Sequence, residues 1–409
     1  MTASAARAAV AVRAATVLTP SLSSLDQLAD VLLSDGDPPP AQRDWVGLLD
    51  DPDVHRLDAE DAARVRRVTR SSADPARTAA VVAVRCAREA GLAASELAGC
   101  ALIVAGNNLA MDYQARTVLG EVQGTRRVRP THAVAYQDTD TVGVVSELLG
   151  LRAEGWTVGA ASASGAVAVI QAMRLLRAGD AQRCVVVAPA AELSSTETRA
   201  LSTSGALHPG PEPVCRPFDD HREGFVPGPA AAAVVLELAG QTAQEPLALL
   251  LGAGQRLDAR HGAAPDSAGQ TEAMRAAMLA AGIEPADVGY LSAHATGSRV
   301  GDECEARAIA QVFGVGAGPL VNSTKAFLGH ALTAAGLVEL IATVVQLRHG
   351  RVHGNPNTSS PMPDVGGRLA GRTSSRLDRP VALTNSFGFS GINTSIALTT
   401  ETIQTRDTR

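Results

Sequence analysis

Four short segments of this sequence concentrate the residue types that can do chemistry. The first, Thr157–Ile170 (TVGAASASGAVAVI), carries Ser162 where a strand-like run ends in small residues and enters a helix. Small residues let another backbone approach closely, and a helix start offers free N–H groups and a positive dipole end to a developing anion. The segment is not the GxSxG elbow, because Ala160 stands two residues before Ser162. Taken alone it reads first as small residues packed at a helix start. The second segment, Ser292–Asp302 (SAHATGSRVGD), carries His294 after a strand, with Glu305 following. The third, Asn322–Gly336 (NSTKAFLGHALTAAG), holds Lys325 and, five residues later, His330, with Glu339 beyond. The fourth, Thr384–Thr394 (TNSFGFSGINT), runs through Asn385, Phe389 and Gly391. A lone histidine after a strand is usually a satisfied polar group. All four segments in this order and at these separations form a specific pattern.

The elements that must position these residues alternate apolar runs of strand length with longer helical patterns, as in a layered α/β protein. Strands are expected at Ala8–Val17, Ala101–Ala105, Cys184–Ala188, Ala230–Leu238, Leu247–Gly252, Val288–Ala293, Val381–Asn385 and Thr394–Thr399. Helices are expected at Ala79–Ala90, Ala166–Ala178 (with Gly179 as a left-handed cap), Thr271–Ala281 and Leu332–Leu347. Element order repeats between residues 1–244 and 245–409, although no repeat is visible by residue identity. Pro- and Gly-rich stretches at Asp37–Pro40, His208–Pro213 and Gly354–Pro361 read as surface loops.

Composition narrows the class. The 409 residues are 45% hydrophobic and 19% charged, ordinary for a soluble α/β enzyme of two domains or one duplicated domain. Aromatics make up only 3%, so Ala and Gly must supply much of the close packing. A net charge of -6 and the scarcity of stacking aromatics speak against nucleic acid. Arg7 and Arg13 interrupt any apolar leader, and no window approaches the ~20 apolar residues of a membrane span. The five cysteines are scattered without CxxC spacing and the nine histidines form no HExxH, so neither a metal nor a cofactor is expected, and a reducing cytoplasm is.

On these motifs the chain resembles the β-ketoacyl-acyl-carrier-protein synthases, the ketosynthases of the thiolase superfamily, over nearly its whole length. The resemblance implies the five-layer αβαβα thiolase fold built from two similar halves, 1–244 carrying Ser162 and 245–409 carrying His294, Lys325 and His330. It also implies a homodimer, or a heterodimer with a ketosynthase, and substrates carried on the phosphopantetheine arm of an acyl carrier protein. Ser162 aligns with the family's cysteine nucleophile. His294 matches its HGT-type histidine (Ala295 replacing the glycine), and Lys325 and His330 match its STK lysine and GH histidine. Gly388–Gly391 matches the GFGG loop, with Phe389 as gatekeeper and Ser390 in place of a glycine, and Cys215–Gly228 brings Phe225 near the site. By the same resemblance, the N–H groups of Ser162 and Phe389 form an oxyanion hole, the two imidazoles stabilise an enolate, and Lys325 with Glu339 and Asn385 supports them. The basic clusters Arg64, Arg66, Arg67, Arg70 and Arg126, Arg127, Arg129 read as solvated faces or as docking for an acidic carrier protein.

Serine in place of cysteine decides the expected function. A thiol is partly ionised and strongly nucleophilic near neutrality, whereas an alcohol needs a dedicated base. Without acyl loading condensation lacks an electrophile, but decarboxylation needs none. The segment VGAASASG is similar to the stand-alone ketosynthase-like decarboxylases of β-branching cassettes, which convert malonyl-carrier protein to acetyl-carrier protein. The alternatives are a serine-dependent acyltransferase or condensing enzyme, and a non-catalytic partner like the chain-length factors, which commonly lose the histidines that this chain keeps.

Overall fold

The computed structural model of the chain describes residues 8–35, 57–210, 213–241, 244–363, 365 and 367–401. The expected loop at Asp37–Pro40 lies outside them. The first part of the chain forms β1 (Val10–Leu18), α1 (Asp74–Glu89), β2 (Ala101–Ala105), α2 (Asp138–Leu149), β3 (Gly155–Val158), α3 (Ser164–Ala178), β4 (Arg183–Ala188) and β5 (Ala231–Leu238). It continues with β6 (Ala248–Leu257), α4 (Ser267–Ala281), β7 (Val288–Ser292), α5 (Arg299–Phe313), β8 (Val315–Asn322), α6 (Ala335–Arg348), β9 (Gly367–Leu369), β10 (Val381–Gly388) and β11 (Ile392–Thr399). Gly179 ends α3 at φ +82°, the left-handed cap expected there.

The strands hydrogen-bond in one continuous order, β9-β8-β7-β10-β11-β6-β1-β5-β4-β2-β3. Within it the same five-strand pattern occurs twice. In the first set β2 lies parallel between β3 and β4, and β5 runs antiparallel between β4 and β1. In the second, β7 lies parallel between β8 and β10, and β11 runs antiparallel between β10 and β6. The two sets join through antiparallel pairing of Val10–Val12 with Ala248–Leu250.

Side-chain alternation assigns the layers. In β4 and β5, Cys184, Val186, Ala232, Val234 and Leu236 face a core that contains α3 and α6. Their neighbours Val185, Val187, Ala233 and Val235 face α1 and α2. On the other side Ala382, Ile396 and Leu398 face the central helices, while Leu383 and Ala397 meet Met274, Met278 and Ile309 of α4 and α5. The result is five layers, α1/α2, sheet, α3/α6, sheet and α4/α5, with an apolar α3/α6 pair buried between two strand surfaces.

Glycines set the spacing of that pair. A Cβ on Gly165 would lie 2.5 Å from Leu337 N, and one on Gly336 2.7 Å from Ala166 N. Each helix is preceded by a single 3-10 turn, Ala161–Ala163 or Leu332–Ala334, whose first residue has a left-handed φ, +48° at Ala161 and +51° at Leu332. The two helix starts align as ASASGAV and LTAAGLV, which pairs Ser162 with Thr333 and Gly165 with Gly336. Residue identity does therefore carry a short repeat, where the helices touch.

One loop differs from expectation. Residues 354–361, read as a surface loop, are exposed at Ser359 and Pro361 but buried at Gly354–Pro356 and Thr358, because polar side chains there bond inward. Asn355 donates to the Val321 and Ala370 carbonyls, and Asn357 donates to those of Cys215 and Ala326. Gly354 passes so close to Arg372 that a Cβ would lie 2.4 Å from its carbonyl. These bonds brace the segment that carries Lys325.

If the α3–α6 contact sets the spacing, Gly165→Ala should lower stability by roughly 1–3 kcal/mol, the usual cost of overpacking a core. Gly143→Ala, exposed on α2 with open space around its Cβ, should instead raise it by up to about 1 kcal/mol. Thermal or urea unfolding of the two variants checks this. Equal effects would show that the close approach is not a constraint.

Candidate active site

Ser162 lies in the turn between β3 and α3. The left-handed Ala161 before it is uncommon for a residue with a Cβ and is held by Ser164. The buried Ser164 hydroxyl accepts the Ala160 N–H at 2.8 Å and donates to the Ala161 carbonyl at 2.7 Å. From the opposite side Ser386 donates to the Ser162 carbonyl at 3.2 Å, and Gly388 leaves room for Ala160, whose oxygen would lie 2.3 Å from a Cβ there. Fixed on both sides, Ser162 stands at the start of α3 with Oγ 2.9 Å from His330 Nε2.

His294 follows β7, and two buried carboxylates hold its loop. Glu305 accepts the N–H of His294 at 3.0 Å, that of Ala295 at 2.7 Å and the Asn385 amide at 3.1 Å. Asp302 accepts the N–H groups of Thr296 at 3.0 Å and Phe218 at 2.9 Å. Burial pushes Glu305 up to about 7 and Asp302 up to about 6, against the pull of those donors.

Lys325 is 1% exposed and makes three contacts beneath the site. Its Nζ donates to the His294 carbonyl at 2.5 Å, approaches His294 Nδ1 at 3.4 Å and forms an ion pair with Glu339. Burial pushes Glu339 up to about 7 although the Lys325 charge opposes it. A lysine ammonium can only donate, so His294 Nδ1 is an acceptor and the ring proton is assigned to Nε2. His330 is placed by backbone bonds on each side: its N–H donates to Val226 O at 2.7 Å, and Gly228 N–H donates to its carbonyl at 3.0 Å. Burial first, then the Lys325 charge, hold both imidazoles well below their ordinary range, and the His330 ring adds to the effect on His294. Both rings are neutral at pH 7.

The two imidazoles stand edge to face with centroids 5.6 Å apart. Phe225 packs at 5.1 Å from His330 and Phe387 at 5.7 Å from His294. They border a cavity of about 770 Å³ that Ser162, Phe389 and Thr333 also line. Phe389 is half exposed at its rim, and Ser390 beside it keeps a φ of +66°, a glycine-like conformation in a residue with a side chain. The arrangement offers a mostly apolar pocket in which neutral N–H donors and an alcohol stand side by side. Among the described residues no cluster of three or more His, Cys, Asp or Glu could hold a metal ion, and no helix is long and apolar enough to cross a membrane.

The structure thus brings Ser162, Phe225, His294, Lys325, His330, Glu339, Asn385, Phe387 and Phe389 into one site or its immediate support. Sequence reasoning did not single out Ser386, Asn355 or Asn357, whose importance is in side-chain bonds to distant backbone. Thr333 was missed too. The alignment of LTAAGLV with ASASGAV is the signal that could have found it.

Comparison with known proteins agrees with this geometry. The family described as "Beta-ketoacyl synthase, N-terminal domain" matches residues 8–241, and "Beta-ketoacyl synthase, C-terminal domain" matches residues 247–359. The chain is 30% identical over 342 residues to the polyketide biosynthesis malonyl-ACP decarboxylase PksF of Bacillus subtilis, covering 81% of each protein. It is 34% identical over 279 residues to 3-oxoacyl-[acyl-carrier-protein] synthase 2 of Staphylococcus aureus, covering 66% of this chain and 67% of that one. Among solved structures, the ishigamide ketosynthase/chain length factor superposes with a TM-score of 0.84 at 24% identity, over 97% of this chain and 100% of that one. The ketosynthase of the AntDE:AntF complex with its type II acyl-carrier protein superposes at 0.81 and 23% identity, over 96% and 99%. The five layers are those of the thiolase fold, and the chain belongs to the β-ketoacyl synthase family.

Proposed function

We propose that this chain is a ketosynthase-like decarboxylase that converts malonyl-acyl-carrier protein to acetyl-acyl-carrier protein without condensation, in a β-branching step of polyketide biosynthesis. The observation that carries the reading is the pair of neutral imidazoles, His330 buried and His294 half-buried, beside an alcohol instead of a thiol. The thioester oxygen of a malonyl group between the rings would accept from both Nε2 positions. As the bond to the carboxylate breaks, charge moves onto that oxygen, where oriented donors in a dry pocket act most strongly. Phe225 and Phe387 keep water from the carboxylate, which favours its loss as neutral CO2. Similarity to PksF, described as a malonyl-ACP decarboxylase, supports the same reading.

One observation favours a second reading, acyl transfer through Ser162. Its Oγ lies at hydrogen-bond distance from His330 Nε2, the geometry of a nucleophile and its base. Against it, His330 Nδ1 is buried without a partner among the described residues, so no third group orients the ring as a base. A non-catalytic partner subunit would have no need of the Lys325–Glu339 pair or of both histidines.

We further propose a carrier protein, delivering substrate on its phosphopantetheine arm, and a homodimer, both in the cytoplasm. Arg66, Arg67, Arg70, Arg126, Arg127 and Arg129 are exposed and available to an acidic carrier, whereas Arg64 turns inward to the Leu148 carbonyl. Val118, Leu119, Val122 and Val134 form exposed apolar surface of the kind that a second copy covers.

Mass spectrometry of malonyl-carrier protein incubated with the enzyme should show loss of CO2 from the carrier and no adduct on the enzyme. His294→Ala and His330→Ala should each slow the loss by roughly 10²–10³-fold, the range for one oxyanion donor. Substrate that stays intact for hours at stoichiometric enzyme would contradict the assignment, and full rates in both folded variants would remove the imidazoles from it.

Ser162→Cys separates the two readings. Near a helix start and a buried ammonium, the thiol is expected to ionise and to take an acyl group from an acyl-carrier thioester. Intact-protein mass spectrometry should then show an acyl adduct on the variant and none on the wild type. An equal adduct on wild type would make Ser162 a nucleophile and favour the acyltransferase.

A further inference from the structure

Decarboxylation leaves a carbanion equivalent that must be protonated, and the site's donors are not equally placed for it. We infer that Ser162 is the acid that delivers this proton, through Oγ–H, to C2 of the enolate. The inference rests on the decarboxylase reading and adds a role for the residue at the nucleophile position.

The placement follows from one distance. An enolate oxygen held by His330 Nε2–H lies about 2.8–3.0 Å from that nitrogen. C2 is two bonds from the oxygen, roughly 2.4 Å away. Ser162 Oγ sits 2.9 Å from the same nitrogen, on the cavity wall. A group bound to His330 therefore brings its oxygen or the adjacent carbon against the hydroxyl. Several other proton sources near the imidazoles are occupied or turned away. Lys325 and Glu339 do not line the cavity, and the Lys325 ammonium is committed to Glu339 and the His294 carbonyl. Glu305 lines it, but its oxygens accept three N–H groups. Thr333 lines it as well; its hydroxyl oxygen is buried without a hydrogen-bond partner among the described residues, 3.3 Å from where a Cβ on Gly106 would lie, and nothing links it to His330 as the 2.9 Å contact links Ser162.

The C2–C3 bond breaks, C3 leaves as CO2 and the electron pair enters the C1–C2 enolate, whose charge rests on the oxygen between the imidazoles. That pair then forms a C2–H bond with the Ser162 proton, and the C1 carbonyl is restored. A thioester carbanion is a stronger base than an alkoxide, so the transfer runs downhill. The alkoxide, at the N-terminal start of α3, is stabilised by the helix end. After CO2 and the acetyl product have left, it recovers a proton from solvent water, and the hydroxide left combines with CO2 in solution as bicarbonate. The net change is malonyl thioester plus water to acetyl thioester plus bicarbonate.

An enolate without its acid should survive long enough to recapture CO2. The experiment therefore incubates malonyl-carrier protein with wild type, Ser162→Ala and Ser162→Thr in ¹³C-bicarbonate with carbonic anhydrase. Acetyl product and ¹³C in the remaining malonyl group are followed by mass spectrometry. Ser162→Ala should form acetyl about 10²-fold more slowly, the usual scale of general-acid catalysis, while ¹³C enters the malonyl carboxylate. Wild type and Ser162→Thr, which keeps a hydroxyl, should form acetyl with no label in unreacted malonyl. Acetyl formation by Ser162→Ala at the wild-type rate without label overturns the inference, as does loss of both reactions in a variant that melts like wild type. Should Ser162→Ala not fold, ¹³C entering malonyl with Ser162→Thr or wild type would overturn it equally. A wild type that forms no acetyl removes the decarboxylase reading itself, a result distinct from the others.

Discussion

A lysine and a glutamate taken together out of water, Lys325 and Glu339, are the interaction on which the rest of the site depends. Neither charge is tolerable alone at that depth, since removing one member of a buried pair typically costs about 3–5 kcal/mol. Such a pair is weak evidence for stability, because well-packed apolar residues often do as well. Its consequence here is electrostatic and directional. The ammonium faces His294 Nδ1, leaves that nitrogen only the acceptor role and adds to burial in holding both imidazoles below their ordinary range. In the proposed reaction, two neutral rings would donate to a forming enolate without first binding the malonyl carboxylate as a salt bridge, which would stabilise the ground state.

The fold supplies what that pair cannot. Two copies of one strand pattern surround α3 and α6, and Gly165 and Gly336 let these helices approach at their N-terminal ends. The start of α3 presents Ser162. The 3-10 turn that leads into α6 begins two residues after His330, whose backbone the Val226–Gly228 segment holds in place. The left-handed residues Ala161 and Leu332, and Ser390 at the rim, concentrate backbone strain around the cavity. Ser164, Ser386 and Gly388 offset it at Ser162 with local hydrogen bonds and room for the Ala160 carbonyl.

Much of this was legible in the sequence, for reasons that differ by element. Ala101–Ala105 and the cap at Gly179 follow from local rules, an apolar run and a glycine after a helical pattern, and both hold. His294, Lys325 and His330 were found because their segments are short and motif-like. Their convergence through Nζ and Nδ1 is a property of the closed fold. The 354–361 segment is a loop, as Gly, Pro and Asn indicate, but only its end lies at the surface, because Asn355 and Asn357 use the turn to satisfy distant carbonyls. The repeat escaped notice because it survives in only seven residues, where the packing of two helices allows no larger side chain.

Everything proposed for the site depends on the protonation state of the two histidines, and ¹⁵N NMR of the histidine-labelled protein measures it directly. Two neutral rings are expected from pH 6 to 8, with His294 showing a protonated Nε2 and an Nδ1 shifted as a hydrogen-bond acceptor; a His294→Gln variant assigns the resonances. An imidazolium signal for either ring at pH 7, or a His294 proton on Nδ1, would contradict it.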